Sequence, residues 1–257
     1  MNGATPGRLR IIGLGPGPAH WLTPEASAML AEATDIFGYG PYLARLTAQP
    51  GQRLHGSDNR EELARARCAL ALAAAGADVA VVSGGDPGVF AMAAAVFEAL
   101  EAGAPAWRTL TIEVAPGISA MMAAAARLGA PLGHDFCAIS LSDNLKSPAI
   151  IERRLIAAAQ GDFVIALYNP ASKARPRLIH DAFALLRRHK SGGVPVAFAR
   201  AIGRADEAMH VTSLEAADPG IADMSTLIII GSSQTKLIQN AGGRPWMLTP
   251  RAYEAPA

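Results

Sequence analysis

Short runs of aliphatic and β-branched residues alternate along this chain with stretches in which Ala and Leu recur at helical spacing. That alternation is the order of an α/β protein with a largely parallel sheet. The runs predict strands over residues 9–14, 36–39, 79–82, 110–114, 137–141, 163–167, 195–200, 209–212 and 227–230. Helices are predicted between most of them. Thr23 ahead of Pro24 pairs an N-cap hydroxyl with a first-turn proline and opens a helix toward Ala33. Ser57 or Asp58 likewise precedes NREELARARCALALAAAG, which carries acids in its first turn and ends on Gly76. Residues 89–100, 118–128, 148–159 and 176–188 complete the helical set.

The connection between 195–200 and 209–212 is too short for a crossover helix, so those two runs are expected to pair antiparallel. The second half of the chain is therefore read as a mixed sheet, the first as largely parallel. A boundary is placed at the Ala115-Pro116-Gly117 turn, giving an N-terminal α/β domain over 1–115, a C-terminal α/β domain over 116–245 and a tail over 246–257.

A length of 257 residues suits two domains of ordinary size. With 51% hydrophobic and 18% charged residues, the chain lacks the charge excess that prevents collapse, so a folded, enzyme-sized protein is expected. A net charge of +1 gives no global attraction to nucleic acid or to an acidic membrane surface, so neither is expected as a partner. Cys68 and Cys137 stand far apart with no CxxC or Cys/His cluster, which argues against a zinc site or a disulfide framework and favours a reducing cytoplasm. The opening MNGATPGRLRIIGLGPGP lacks the order of a signal peptide, and no uncharged apolar stretch approaches the ~20 residues that span a bilayer.

Three turns of small residues follow strands, the first two rich in glycine. The first, Gly13-Leu14-Gly15-Pro16-Gly17-Pro18, stands where a dinucleotide fingerprint would, but Pro18 replaces the third glycine and no helix opens at once to meet a pyrophosphate. A P-loop is absent too, since neither glycine loop runs into Lys-Ser or Lys-Thr. The second, Ser83-Gly84-Gly85-Asp86-Pro87-Gly88, lies at the carboxyl end of a strand, where open α/β sheets bind ligands. Its glycines admit close backbone approach, while Asp86 is equally suited to accept from the amides of its own loop as an Asx turn. The third, Ala115-Pro116-Gly117-Ile118-Ser119-Ala120, opens a helix with small residues.

In this order GLGPG, SGGDPGVF, APGISA and LYNP resemble the tetrapyrrole (corrin and porphyrin) methylases, and the likeness runs from Ile11 to about Gly231. The stretches SLSDNLK at 140–146 and ALYNPASKAR at 166–175 are similar to the subgroup acting on carbon 17 of precorrin-3B. The resemblance implies two α/β domains with an active-site cleft between them, a homodimer, S-adenosyl-L-methionine as cofactor with S-adenosyl-L-homocysteine as product, and no metal of the enzyme's own. It assigns Pro16, Gly84, Gly85, Asp86, Val89, Phe90, Ser119, Ala120, Leu167, Tyr168, Thr226 and Leu227 to the cofactor. To the tetrapyrrole it assigns Gly13, Leu14, Gly15, Lys146, Asn169, Lys173, Arg175 and Arg200. One departure stands out: related methylases often carry a glycine shortly after the PVA strand, where this chain has Phe198-Ala199-Arg200-Ala201-Ile202 before Gly203.

The implied chemistry suits these residues. A sulfonium methyl is already activated and the acceptor carbon of a reduced tetrapyrrole is electron-rich, so in-line positioning, worth up to roughly 7–11 kcal/mol, replaces a built nucleophile. The substrate's carboxylates call for local Arg or Lys side chains, of which Lys146, Lys173, Arg175 and Arg200 flank the matching motifs. Each, taken singly, reads as well as a solvated surface charge. Contraction of the macrocycle to precorrin-4 would draw on a general acid or base, for which Asp143 and Tyr168 are the candidates ahead of His134. The alternatives are the cobalt-factor III counterpart, a nicotinamide-dependent oxidoreductase resting on the first loop and Asp35, and a tetrapyrrole-binding protein without catalysis.

Overall fold

In the computed structural model, which describes residues 7–171 and 176–253, the opening hydrophobic run forms β1 (Arg8–Gly13). After it come α1 (Pro24–Glu32), β2 (Asp35–Tyr39), the single turn α2 (Gly40–Leu43), β3 (Arg53–Ser57), α3 (Glu62–Ala74), β4 (Asp78–Ser83), α4 (Met92–Ala102) and β5 (Thr111–Ala115). Their five strands make one sheet in the order β3-β2-β4-β1-β5, parallel throughout. The two central strands, β1 and β4, are buried, which is why DVAVVS reads as a nearly unbroken apolar run; in RLRIIG the run is interrupted by Arg10, a buried arginine whose guanidinium reaches Glu32. Thr23 caps α1 as expected, its hydroxyl accepting from the amide of Ala26 at 3.1 Å.

Two sequence expectations fail in this half for one reason. RLHGS is mostly exposed on an edge strand and shows no apolar alternation, so β3 goes unannounced. Its side chains are tied inward: Arg53 pairs with the buried carboxylate of Asp35 at 2.7 Å, and His55 hydrogen-bonds to it at 2.8 Å. Because β3 takes up Ser57, neither Ser57 nor Asp58 caps α3; Glu61 occupies the N-cap, and the Ser57 hydroxyl accepts instead from Nε of Arg65 at 2.8 Å. Asp35 is thereby committed to the sheet edge.

The described residues divide into two compact units that part between Ala120 and Met121, C-terminal to the boundary expected after residue 115. The second begins in α5 (Ala120–Leu128) and continues through β6 (Gly129–Ala130), β7 (Phe136–Ser140), α6 (Pro148–Gln160), β8 (Val164–Tyr168), α7 (Leu178–His189), β9 (Pro195–Arg200), β10 (Ala208–Ser213), β11 (Thr226–Ile230), β12 (Lys236–Asn240) and β13 (Gly243–Leu248). Its main sheet runs β10-β9-β11-β8-β7; β7 and β8 are parallel, while β11 lies antiparallel to β8 and β9, and β9 antiparallel to β10. This is the mixed sheet that the short 200–209 connection called for. Phe183 of α7 stacks on Phe198 of β9 at 5.8 Å between ring centroids in the core.

The hairpin β12–β13, extended by β6, forms a small third sheet that periodicity missed. β12 is exposed along almost its whole length, so no alternation marks it, and β13 reaches into the segment expected to be a tail.

Candidate functional site

Because β4, β1 and β5 are neighbours, the turns after their carboxyl ends lie side by side. This edge is where parallel α/β sheets bind ligands. The turns are knitted together by backbone: the amide of Leu14 donates to Ser83 O at 2.9 Å, and that of Gly15 to Gly85 O at 3.1 Å. Gly15 and Gly85 have φ of +66° and +76°, a conformation that favours glycine. A different demand acts on Gly13, Gly84 and Gly117. A Cβ on Gly117 would run into Gly85 O and meet Cα of Gly13 at 2.9 Å, one on Gly13 would meet the Gly117 nitrogen at 2.7 Å, and one on Gly84 would meet the Tyr42 ring at 2.7 Å. These three are glycine because the loops pack on each other and on Tyr42.

Asp86 completes the linkage. Its Oδ1 accepts from the amide of Gly88 at 2.8 Å, closing an Asx turn, and its Oδ2 accepts from Gly117 at 3.1 Å, tying the second loop to the third. Ser83 Oγ accepts from the amide of Met92 at 3.1 Å and so satisfies a first-turn donor of α4. That is why α4 starts at Met92 and not at residue 89: residues 84–91 are the loop. Within it Phe90 holds φ +53° with half its surface exposed, and Val89 is half-buried. A bulky residue in this region of backbone space costs about 1–3 kcal/mol and points to a functional constraint. Pro16 is buried with the first loop, Ser119 is buried, and Ala120 begins α5.

Sequence patterns missed the bracing of this edge. Arg45, just past α2, donates to the carbonyls of Leu14 at 3.3 Å, Gly15 at 3.1 Å and Gly17 at 2.7 Å. The available signal was positional, since α2 follows the carboxyl end of β2 and thus shares the edge with the glycine loops.

In the second unit the remaining residues gather at the carboxyl ends of β7, β8 and β9 and the start of the antiparallel β11. Leu167 is fully buried in β8. The Tyr168 hydroxyl accepts from the amide of Met121 at 3.1 Å, in the first turn of α5. Asn169 lies at φ +52° and donates from Nδ2 to Ser140 Oγ at 3.0 Å, a hydroxyl that also accepts from the amide of Ser142 at 3.3 Å. Asp143 and Lys146 are half-buried on the irregular segment before α6. Burial, with the charge of Arg154 second, pushes the Lys146 ammonium below its ordinary value.

Thr226 and Leu227 are buried at the head of β11. The Thr226 hydroxyl donates to Asp223 at 2.8 Å, while Arg200 reaches Asp223 at 2.7 Å and Asp206 at 2.9 Å. The hydrogen bond to Asp223, then that to Asp206, raises the Arg200 guanidinium further. Burial works against the charge of Asp223, but its bonds from Arg200 and Thr226 outweigh it and hold the carboxyl below the usual range. Arg200 therefore stands in an ion-pair network at the end of β9. Beyond it Ala201 occupies φ +50°, a backbone region that favours glycine. Lys173 and Arg175 lie outside the described residues. Among the described residues no group of three or more His, Cys, Asp or Glu side chains is placed to hold a metal ion, and no helix is long and apolar enough to cross a membrane.

Comparison with known proteins matches residues 8–218 to the family described as Tetrapyrrole (Corrin/Porphyrin) Methylases. A precorrin-3B C(17)-methyltransferase of Sinorhizobium sp is 54% identical over 247 residues, covering 96% of this chain and 97% of that protein. A probable cobalt-factor III C(17)-methyltransferase of Salmonella typhimurium is 39% identical, covering 95% of this chain and 99% of its own. The crystal structure of the methyltransferase CobJ superposes with a TM-score of 0.91 at 51% identity, over 95% of this chain and 100% of that one.

Proposed function

This chain belongs to the tetrapyrrole (corrin/porphyrin) methylases, and from that premise we propose that it is an S-adenosylmethionine-dependent methyltransferase. It methylates precorrin-3B at carbon 17 and contracts the macrocycle to precorrin-4 in cobalamin biosynthesis. The observation that carries the reading is likeness to the Sinorhizobium enzyme along almost the whole of both chains. A cytoplasmic homodimer is part of the same reading, and light scattering on the purified protein tests the dimer.

The donor set of the glycine loops fits S-adenosylmethionine. Residues 13–18 and 83–90 contain no Lys or Arg, and the carboxylate of Asp86 stands among them. A phosphate would be repelled, whereas a sulfonium with an amino group and ribose hydroxyls tolerates such a loop. Gly85 leaves room beside its backbone, a Cβ there meeting nothing nearer than 3.9 Å. Once bound, the cofactor supplies a methyl group already activated on sulfur.

The chain's task is placement. In the first unit Gly84, Gly85 and Asp86 hold the cofactor through backbone groups, Pro16, Val89 and Phe90 flank it, and Ser119 and Ala120 belong to the same set; from the second unit Leu167, Tyr168, Thr226 and Leu227 are assigned to the cofactor. Gly13, Leu14 and Gly15 face the tetrapyrrole, whose carboxylates meet Lys146 and Asn169, with Lys173 and Arg175 as further donors. Arg200, assigned to the same side, is paired with Asp223 and Asp206. For the proton transfer of ring contraction the candidates are Tyr168, whose hydroxyl is oriented by the Met121 amide, and Asp143.

Purified enzyme given labelled cofactor with precorrin-3B or cobalt-factor III decides the substrate. Turnover of precorrin-3B is expected; turnover of the cobalt complex alone would transfer the assignment to the Salmonella-type activity. Tight NAD binding without S-adenosylhomocysteine binding would refute the methyltransferase reading altogether.

A further inference from the structure

The stretch Tyr39–Arg45 touches both glycine loops without belonging to either. Tyr42 lies against Gly84 so closely that a Cβ there would meet ring carbons at 2.7 Å, and its ring is set edge-on against Tyr39 at 5.4 Å between centroids. Arg45 donates from both terminal nitrogens to Gly15 O at 3.1 Å, and from Nη2 also to Leu14 O at 3.3 Å and Gly17 O at 2.7 Å. Three carbonyls of a Gly/Pro loop, those of residues 14, 15 and 17, are thus gathered on one guanidinium. Such a loop would otherwise explore many backbone states, because Gly15 and Gly17 carry no Cβ to restrict them.

The supports of the two loops differ. The GGDP loop is held by the Asp86 carboxylate on Gly88 and Gly117, by Ser83 on Met92, and by the Tyr42 ring beneath Gly84. The GLGPG loop has the two backbone bonds to Ser83 and Gly85 at its start, after which Arg45 gathers its carbonyls. A lysine cannot replace this, since a point ammonium lacks the planar fork that spans three acceptors.

We propose that Arg45 is a positioning residue for the tetrapyrrole, setting the shape of the GLGPG loop against the substrate while leaving the cofactor loop to its own supports. The inference rests on the functional reading above for the identity of the ligands. It predicts that Arg45→Gln raises KM for precorrin-3B by about tenfold, in line with the loss of hydrogen bonds from a charged donor. kcat should stay within about threefold, and the Kd for S-adenosylhomocysteine should rise clearly less than KM, because Pro16 flanks the cofactor from this loop while the Asp86 links and the Tyr42 contact of the GGDP loop are not removed.

The experiment combines steady-state kinetics, calorimetric titration with S-adenosylhomocysteine, and amide hydrogen exchange. Faster exchange confined to residues 14–18, with the KM-against-kcat split, is the expected result. Arg45→Lys should show the same split, which covers the case in which Arg45→Gln does not fold. Unchanged exchange at 14–18, an unchanged KM, or equal losses in KM and cofactor affinity would each overturn the inference. A wild-type protein that fails to methylate precorrin-3B instead overturns the functional reading, and the exchange measurement still reports on the loop.

Discussion

Asp86 offers the sharpest test of how the site is built. Asp86→Ala removes both acceptors at once, the one that closes the Asx turn on Gly88 at 2.8 Å and the one that ties Gly117 at 3.1 Å. A hydrogen bond to a charged group contributes about 1.5–3 kcal/mol. Gly88 is exposed, so its amide regains water and little is lost there; Gly117 is half-buried, so the loss of its carboxylate acceptor is less fully made good by water. The net loss of loop order is therefore about 1–3 kcal/mol. If that order must be restored on binding, each 1.4 kcal/mol costs a decade of affinity, so S-adenosylhomocysteine should bind roughly 5- to 150-fold more weakly. Asp86→Asn keeps one acceptor of the two and should fall between alanine and wild type. Calorimetric titration measures all three. An alanine variant whose Kd stays within about twofold of wild type would refute the reasoning, because the carboxylate would then be a passenger on a loop shaped by glycines alone.

Gly117→Ala should be worse for folding than Asp86→Ala, since its Cβ would force Gly85 O and Gly13 apart; a loss of about 2–4 kcal/mol, read from denaturant unfolding, is expected, and wild-type stability would contradict the packing argument. Asp35 is held well below the usual carboxylate range, first by the hydrogen bond from Arg53 and against the cost of its burial, with His55 and Thr34 adding to the effect. Its stabilising contribution is full above the unfolded value near 4 and fades as pH falls below it, so Asp35→Asn should flatten the loss of stability on acidification below about pH 4 while lowering stability at neutral pH by about 1–3 kcal/mol; unfolding curves at several pH values check both. Tyr168→Phe should lower kcat about a hundredfold through loss of an oriented proton donor while costing about 1 kcal/mol of stability, and an unchanged kcat would confine the phenol to capping α5.

Much of this architecture was legible before any coordinates. β1, β4, β8 and β11 are buried on both faces, so their runs of Ile, Val and Leu announce themselves by composition alone, and the short link after residue 200 fixed the sign of the β9–β10 pairing. The order of small-residue turns put the candidate site at the carboxyl ends of β1, β4 and β5, which the structure brings side by side. Edge elements stayed hidden: β3 and β12 face water and carry polar residues at positions where a buried strand would show alternation.

What the sequence by itself determined, then, was which segments must be inside and where the chain must turn, because burial and backbone freedom leave marks on composition. It could not say why each glycine is a glycine. Only the tertiary structure separated Gly15 and Gly85, which need positive φ, from Gly13, Gly84 and Gly117, which make room for one another and for Tyr42. It also showed Asp86 to be a link between loops, and brought Arg45 back onto carbonyls some thirty residues earlier in the chain. Such contacts join positions distant in sequence through directional hydrogen bonds, and no local pattern of hydrophobic and polar residues encodes them.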